Sequence, residues 1–212
     1  MFFGFGSKSV TRVSKEKALP GRDTALQVCN THAVNGNPTN GPWPEGMEVM
    51  MVGMGCFWGA ERLFWSINGV YVTSVGYAGG FTPNPTYEEV CSGQTGHAEV
   101  VQIVFEKNNC SYEKLLKIFF ESHNPTQGMR QGNDRGTQYR SIIIYGNDVQ
   151  KENAHKIKDN YNTSLLNKGH NCITTEIKSL DRYYLAETYH QQYLSKNPNG
   201  YCGIEGTGIK CL

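Results

Sequence analysis

Long hydrophobic runs are missing from this sequence: no stretch approaches the roughly 18 apolar residues that span a bilayer. No membrane association is therefore expected. A secretory hydrophobic region of about 7–15 residues is also lacking near the N-terminus, which argues against a secreted, disulfide-stapled domain. Charge of one sign is scarce too. With a net charge of +1, no global field points to nucleic acid, a membrane surface or a polyanion. Neither Cys-x-x-Cys nor His-x-x-His occurs, so zinc is disfavoured and no metal is assigned.

What is present is equally informative. The 212 residues suffice for one substantial core. Glycine (24) and tyrosine (12) are abundant, which suits a loop-built, aromatic-rich site for a small ligand. Seven cysteines (Cys29, Cys56, Cys91, Cys110, Cys172, Cys202, Cys211) form an odd, scattered set. In the reducing, cytoplasmic setting expected here, cysteines that matter are catalytic, redox-active or metal-bound. The basic, Ser-containing segment Ser7–Lys17 faintly resembles a mitochondrial presequence; a solvated arm is the favoured reading.

Residues 1–46, rich in Gly, Asn and Pro, read as an arm without regular structure, 47–195 as an α/β core, and 196–212 as a flexible glycine-rich tail. Together they are expected to form one catalytic domain. Periodicity predicts a strand over Glu48–Gly53, a helix from Phe57 to Ile67 and a strand over Val70–Tyr77. A long irregular loop, Ala78–His97, precedes a strand over Glu99–Phe105 that is apolar on both faces. Ser111 is a fair N-cap for a helix with the stripe Tyr112, Leu115, Leu116, Phe119 and Phe120. A second irregular loop, Pro125–Tyr139, leads to a strand over Ser141–Tyr145. Asp148–Lys168 reads as a polar helix, Cys172–Ile177 as a last strand, and Ala186–Ser195 as a short amphipathic turn. This order predicts an α+β, two-layer sandwich with one mixed sheet, compatible with a ferredoxin-like split βαβ arrangement.

Cys56 stands out. It follows the apolar run Val49–Val52 and immediately precedes a helical pattern, so its sulfur is expected at a helix N-terminus. Unsatisfied backbone N–H groups and the helix dipole there favour thiolate, the nucleophilic form. Phe57 and Trp58 add an apolar surface beside it. The alternative is a small buried core residue.

Three other segments could converge on that sulfur. Glu99 opens an apolar strand, where partial burial would raise its pKa and keep a proton available; the alternative is a solvated strand end. Tyr87 lies in the preceding loop and could donate from its phenol. The glycine-bracketed stretch Gly132–Arg140 carries Asp134 and Tyr139 in a polar cluster. Finally, Cys202 and Cys211 sit in a glycine-rich tail that includes Tyr201, the kind of mobile dithiol that could resolve an oxidised thiol elsewhere.

Taken together, Gly55-Cys56-Phe57-Trp58-Gly59, Gly76–Gly80, Asn84–Glu99, Gln127–Arg140 and Gly200–Gly208 resemble the A-type peptide-methionine (S)-S-oxide reductases over roughly residues 46 to 211. The resemblance implies that Cys56 attacks the sulfoxide sulfur, with Phe57 and Trp58 around the methyl group. It makes Glu99 the proton donor to the sulfoxide oxygen, Tyr87 and Tyr139 its hydrogen-bond partners, and Asp134 part of the supporting polar shell; Tyr201 would line the site. It further implies a Cys56 sulfenic acid, a Cys56–Cys202 disulfide, transfer to Cys202–Cys211, and reduction by thioredoxin. The substrate would be oxidised proteins or methionine sulfoxide, the enzyme would need no cofactor, and a monomer is expected. The chain ends one residue after Cys211, which leaves that cysteine at a fraying end; Cys29, Cys91, Cys110 and Cys172 receive no role. A thiol peroxidase or a non-catalytic redox switch are the rival readings.

Overall fold

A computed structural model describes residues 11–211. The first part of the basic segment, Ser7–Val10, and Leu212 lie outside the described residues. The backbone forms an α+β fold around a six-stranded mixed sheet. Its strands are β1 (Met47–Gly53), β2 (Val70–Ala78), β3 (Ala98–Glu106), β6 (Ile142–Tyr145), β7 (Glu176–Ser179) and β8 (Tyr183–Leu185), in the order β7-β6-β1-β3-β2-β8. Only the β6–β7 pair is parallel.

Strand alternation sorts the apolar residues onto two faces, because successive side chains of a strand point to opposite sides. Met50, Val52, Val101, Ile103, Phe105 and Ile143 enter the main core beneath the helices. Met51, Val100, Ile142 and Ile144 form a smaller cluster on the other face, with Tyr183 against it. Strand β3 is thus covered on both sides, as its unbroken apolar run requires. Helix α1 (Phe57–Trp65) buries Phe57, Ala60 and Phe64, spaced three and four apart. Helix α3 (Tyr112–Ser122) starts where the Ser111 hydroxyl accepts the Lys114 N–H, and it buries all five residues of its apolar stripe. Helix α4 (Asp148–Leu166) is capped by Asn147 and buries Ala154, Ile157, Tyr161 and Leu165.

The structure departs from the expected elements where pairing partners are distant. The segment Ala78–His97 is not wholly irregular: Tyr87–Cys91 forms α2, closed by a capping box between Thr86 and Glu89. The loop Pro125–Tyr139 contains a two-residue hairpin, β4 (Arg130–Gln131) with β5 (Asp134–Arg135), and a 3-10 turn at Thr137–Tyr139. The last strand begins at Glu176 rather than Cys172, because its ladder with β6 starts opposite Ile142. Strand β8 was not expected; it lies within three residues and pairs with β2. The turn predicted at Ala186–Ser195 yields a single helical turn, α5 (Tyr193–Lys196).

Residues 11–46 carry one 3-10 turn, Lys15–Lys17, and an isolated bridge between Thr31 and Pro38. They are tied to the core by the Arg22–Glu89 ion pair at 2.7 Å and by His32 Nε2 to Thr73 Oγ1 at 3.0 Å. Cys211, expected at a fraying end, is instead only 7% exposed. Its N–H donates to Glu121 at 2.8 Å, and Tyr161 donates to the Ile209 carbonyl at 3.1 Å. The last turns of α3 and α4 therefore hold the tail in place.

Burial also sets the acid sensitivity of the fold. His32, His97, His123 and His190 are each pushed down to about 4, chiefly by desolvation. Between pH 6.5 and 4 the unfolded chain therefore binds more protons than the folded one at these four sites, and stability rises with pH. Glu61, raised to about 7 by burial, pulls the other way and offsets part of this dependence. The urea midpoint is expected to fall steadily as pH is lowered from 6.5 to 4. A flat or rising midpoint across that window would contradict this balance.

Candidate active site

The register Val52↔Val101 brings the end of β1 beside the start of β3. Two residues past β1, Gly55 turns the chain with φ +98°, a conformation open to glycine. A Cβ there would also come within 2.8 Å of the Gln131 side chain. Cys56 follows as the N-cap of α1; its side chain makes no capping hydrogen bond, and the backbone N–H groups of Trp58 and Gly59 act on it only as favourable dipoles that lower its pKa. Glu99, at the start of β3, is 2% exposed. Its carboxylate accepts the Phe57 N–H at 3.0 Å, so the acid and the thiol share one helix N-terminus.

The electrostatic balance at Cys56 differs from the sequence expectation. Burial raises its pKa first, followed by the charge of Glu99, with Asp134 adding a smaller push; the Trp58 and Gly59 N–H groups only partly offset them. The thiol form is favoured in the reduced, ligand-free site. A helix N-terminus alone does not outweigh desolvation and two carboxylates.

Tyr139 is buried and its phenol is raised by desolvation first and then by the charge of Glu99. Tyr87 is half-buried; desolvation and then Cys91 raise its phenol, and the two side chains are hydrogen-bonded. Asp134 accepts the Tyr201 hydroxyl at 3.1 Å. Cys202 is exposed, and its sulfur lies 2.9 Å from where a Cβ on Gly59 would stand, so a larger residue in the first turn of α1 would displace it. A recess of about 350 Å³ borders Cys202, lined also by Asn133, Tyr201 and Ile204. The structure thus gathers Cys56, Glu99, Tyr87, Tyr139, Asp134, Tyr201 and Cys202. Cys211 stands apart, against Glu121.

Phe57 is sealed into the core, 6.0 Å from the Tyr77 ring and 5.1 Å from that of His190. Trp58 stacks on Tyr193 at 3.9 Å, and its indole N–H donates to His190 Nδ1 at 3.0 Å. Sequence reasoning missed three participants. Cys91 reaches Tyr87; His190 lies 4.5 Å from the Tyr87 ring; Glu187 accepts from the Tyr87 N–H at 2.9 Å. The signal available was the polar, aromatic cluster Glu187–Tyr193, which in sequence is part of a short amphipathic turn. Among the described residues, no group of three or more His, Cys, Asp or Glu is placed to hold a metal ion.

The family profile described as "Peptide methionine sulfoxide reductase" matches residues 48–210. The chain belongs to this family. Peptide methionine sulfoxide reductase MsrA of Agrobacterium fabrum is 59% identical over 97% of this chain and 95% of its own length. MsrA 1 of Synechocystis is 56% identical over 99% and 95%. Methionine sulfoxide reductase A of Corynebacterium diphtheriae superposes with a TM-score of 0.86 at 45% identity, covering 95% of this chain and 98% of that one.

Because the Glu99 charge opposes ionisation of Cys56, Glu99→Gln is expected to lower the pH midpoint for alkylation of Cys56. Iodoacetamide labelling followed by peptide mass spectrometry measures that midpoint. An unchanged or higher value in the variant would show that the carboxyl does not act on the thiol.

Proposed function

We propose that this chain reduces methionine (S)-sulfoxide, free or within oxidised proteins, to methionine, with Cys56 as nucleophile. The observation that carries this reading is the Phe57 N–H donation to Glu99, which fixes a buried acid at the helix terminus bearing Cys56. The Cys56 sulfur attacks the sulfoxide sulfur while Glu99, protonated, gives its proton to the sulfoxide oxygen and takes up the one the thiol loses. The net change converts thiol and sulfoxide into sulfenic acid and thioether, with no other reactant. Tyr87 and Tyr139 hydrogen-bond the oxygen as it accumulates charge. Asp134 holds Tyr201 at the rim, and Trp58, above the buried Phe57 ring, faces the methyl group. Preference for the S epimer comes from the family resemblance.

Cys202 then condenses with the sulfenic acid, releasing water and forming a Cys56–Cys202 disulfide. The position of its sulfur against Gly59 supports this step. Cys211 attacks Cys202, and thioredoxin reduces the resulting tail disulfide by exchange, becoming oxidised itself. The anchoring of Cys211 on Glu121 means that the tail must detach before that exchange. Electrons pass through sulfur throughout, so the cycle calls for no metal or organic cofactor. We read the fold as a ferredoxin-like unit extended by β7 and β8, a reading supported by the central order β6-β1-β3-β2 and by α1 and α3 between its strands. We take the chain as one monomeric, cytoplasmic domain, with 1–46 as an N-terminal arm, of which 11–46 pack on the core, and 196–212 as the recycling tail.

A single-turnover assay of the fully reduced protein on separated sulfoxide epimers tests the reading. Methionine is expected from the S epimer alone, with loss of the Cys56 and Cys202 thiols; no methionine from either epimer would refute it. Glu99→Gln is expected to slow that turnover by roughly 10²–10⁴-fold, the usual reach of a positioned proton donor. Cys202→Ser is expected to reduce about one sulfoxide per enzyme and stop at the sulfenic acid. Sustained thioredoxin-driven turnover by that variant would remove Cys202 from the relay.

A further inference from the structure

His190 and Glu187 have no part in the chemistry above, yet they connect both walls of the site. Indole nitrogen is a donor only, so the 3.0 Å contact from Trp58 Nε1 makes His190 Nδ1 an acceptor. The neutral ring therefore carries its proton on Nε2. That atom is buried and has no hydrogen-bond partner among the described residues. It faces Glu187 Oε2 at 3.9 Å, just beyond hydrogen-bond reach. An unmade bond at a buried donor is costly, so a small tilt of the imidazole onto the carboxylate is favoured. The His190 ring is 1% exposed and lies between Phe57, Trp58, Tyr87 and Tyr189, at centroid distances of 4.1 to 5.7 Å.

The same carboxylate reaches the opposite wall. Glu187 Oε1 accepts the Tyr87 N–H at 2.9 Å, and Oε2 accepts the Tyr77 hydroxyl at 2.9 Å. One side chain thus touches the backbone that carries the Tyr87 phenol and, through His190, the indole that faces the substrate methyl group.

We propose that Glu187 is a positioning residue: acting through the Tyr87 backbone and through His190, it fixes the Tyr87 phenol and the Trp58 indole relative to each other and so sets the width of the cleft for the sulfoxide side chain. The inference rests on the reductase reading. Burial keeps the imidazole neutral, with its pKa pushed down to about 4, so Glu187 faces an uncharged N–H across 3.9 Å rather than forming an ion pair. Glu187 touches neither substrate nor reacting sulfur, and its effect should fall on binding.

Steady-state kinetics on methionine sulfoxide, with a nitrogen-15 spectrum of the imidazole rings, tests the proposal. Glu187→Gln keeps an acceptor for the Tyr87 N–H but loses the charge facing His190; KM is expected to rise about threefold. Glu187→Ala loses both, and KM should rise about tenfold, with kcat within about twofold of wild type in each variant. A fall in kcat with KM unmoved, or no change in either constant for the glutamine variant, would overturn the proposal. The wild-type spectrum is expected to show His190 as the Nε2–H tautomer; the Nδ1–H tautomer would overturn it as well. This readout needs no activity, so it stands apart from the reductase reading, which fails only if the wild type makes no methionine.

Discussion

The hydrogen bond from the Phe57 N–H to the Glu99 carboxylate joins the N-terminus of α1 to the start of β3, and the rest of the site is arranged around it. The antiparallel register of β1 and β3 brings those two chain ends together, and the turn at Gly55 aims Cys56 into the same corner. Tyr139 arrives from a 3-10 turn just before β6, the strand on the other side of β1. The sheet order therefore brings Glu99 and Tyr139, 43 and 83 positions from Cys56 in the chain, to the same end of the sheet as that sulfur.

Burial gives that corner its reactivity and its constraint together. A thiol and a carboxyl that face each other out of water cannot both be charged cheaply, so the ionisation of one is tied to the other. A sulfoxide entering the site supplies the missing proton acceptor. The proposed cycle moves these protons only when a sulfoxide is present, rather than keeping a standing thiolate exposed to any oxidant. It also separates the two halves of the cycle in space: Cys202 rests on the first turn of α1, whereas Cys211 is held against Glu121 at the end of α3.

Local pattern made the larger elements legible. Steps of three and four in α1, α3 and α4, the cap at Ser111 and the apolar run of β3 all act within a few residues, and the corresponding burial follows. The position of Cys56 between strand and helix is legible for the same reason. Strand β8 and the start of β7 are not, because three or four residues become strand only when a distant ladder accepts them. The capping box of α2 was written in Thr86 and Glu89, but a five-residue helix leaves no periodicity to draw attention to it. The sign of the Cys56 shift escaped because it depends on depth and on a carboxylate 43 positions away, whereas the helix dipole is local. His190 and Glu187 look like surface polar residues until the 3.0 Å contact with Trp58 and the 2.9 Å contact with the Tyr87 N–H place them inside.

The measurement that bears most directly on the central claim is an infrared difference spectrum of the fully reduced protein against its Glu99→Gln variant at neutral pH. The proton-sharing account predicts the carbonyl band of a protonated carboxylic acid, lost in the variant, together with the S–H stretch of an unionised Cys56. Carboxylate bands alone, with no S–H stretch assignable to Cys56, would contradict it and restore a standing thiolate beside an ionised Glu99.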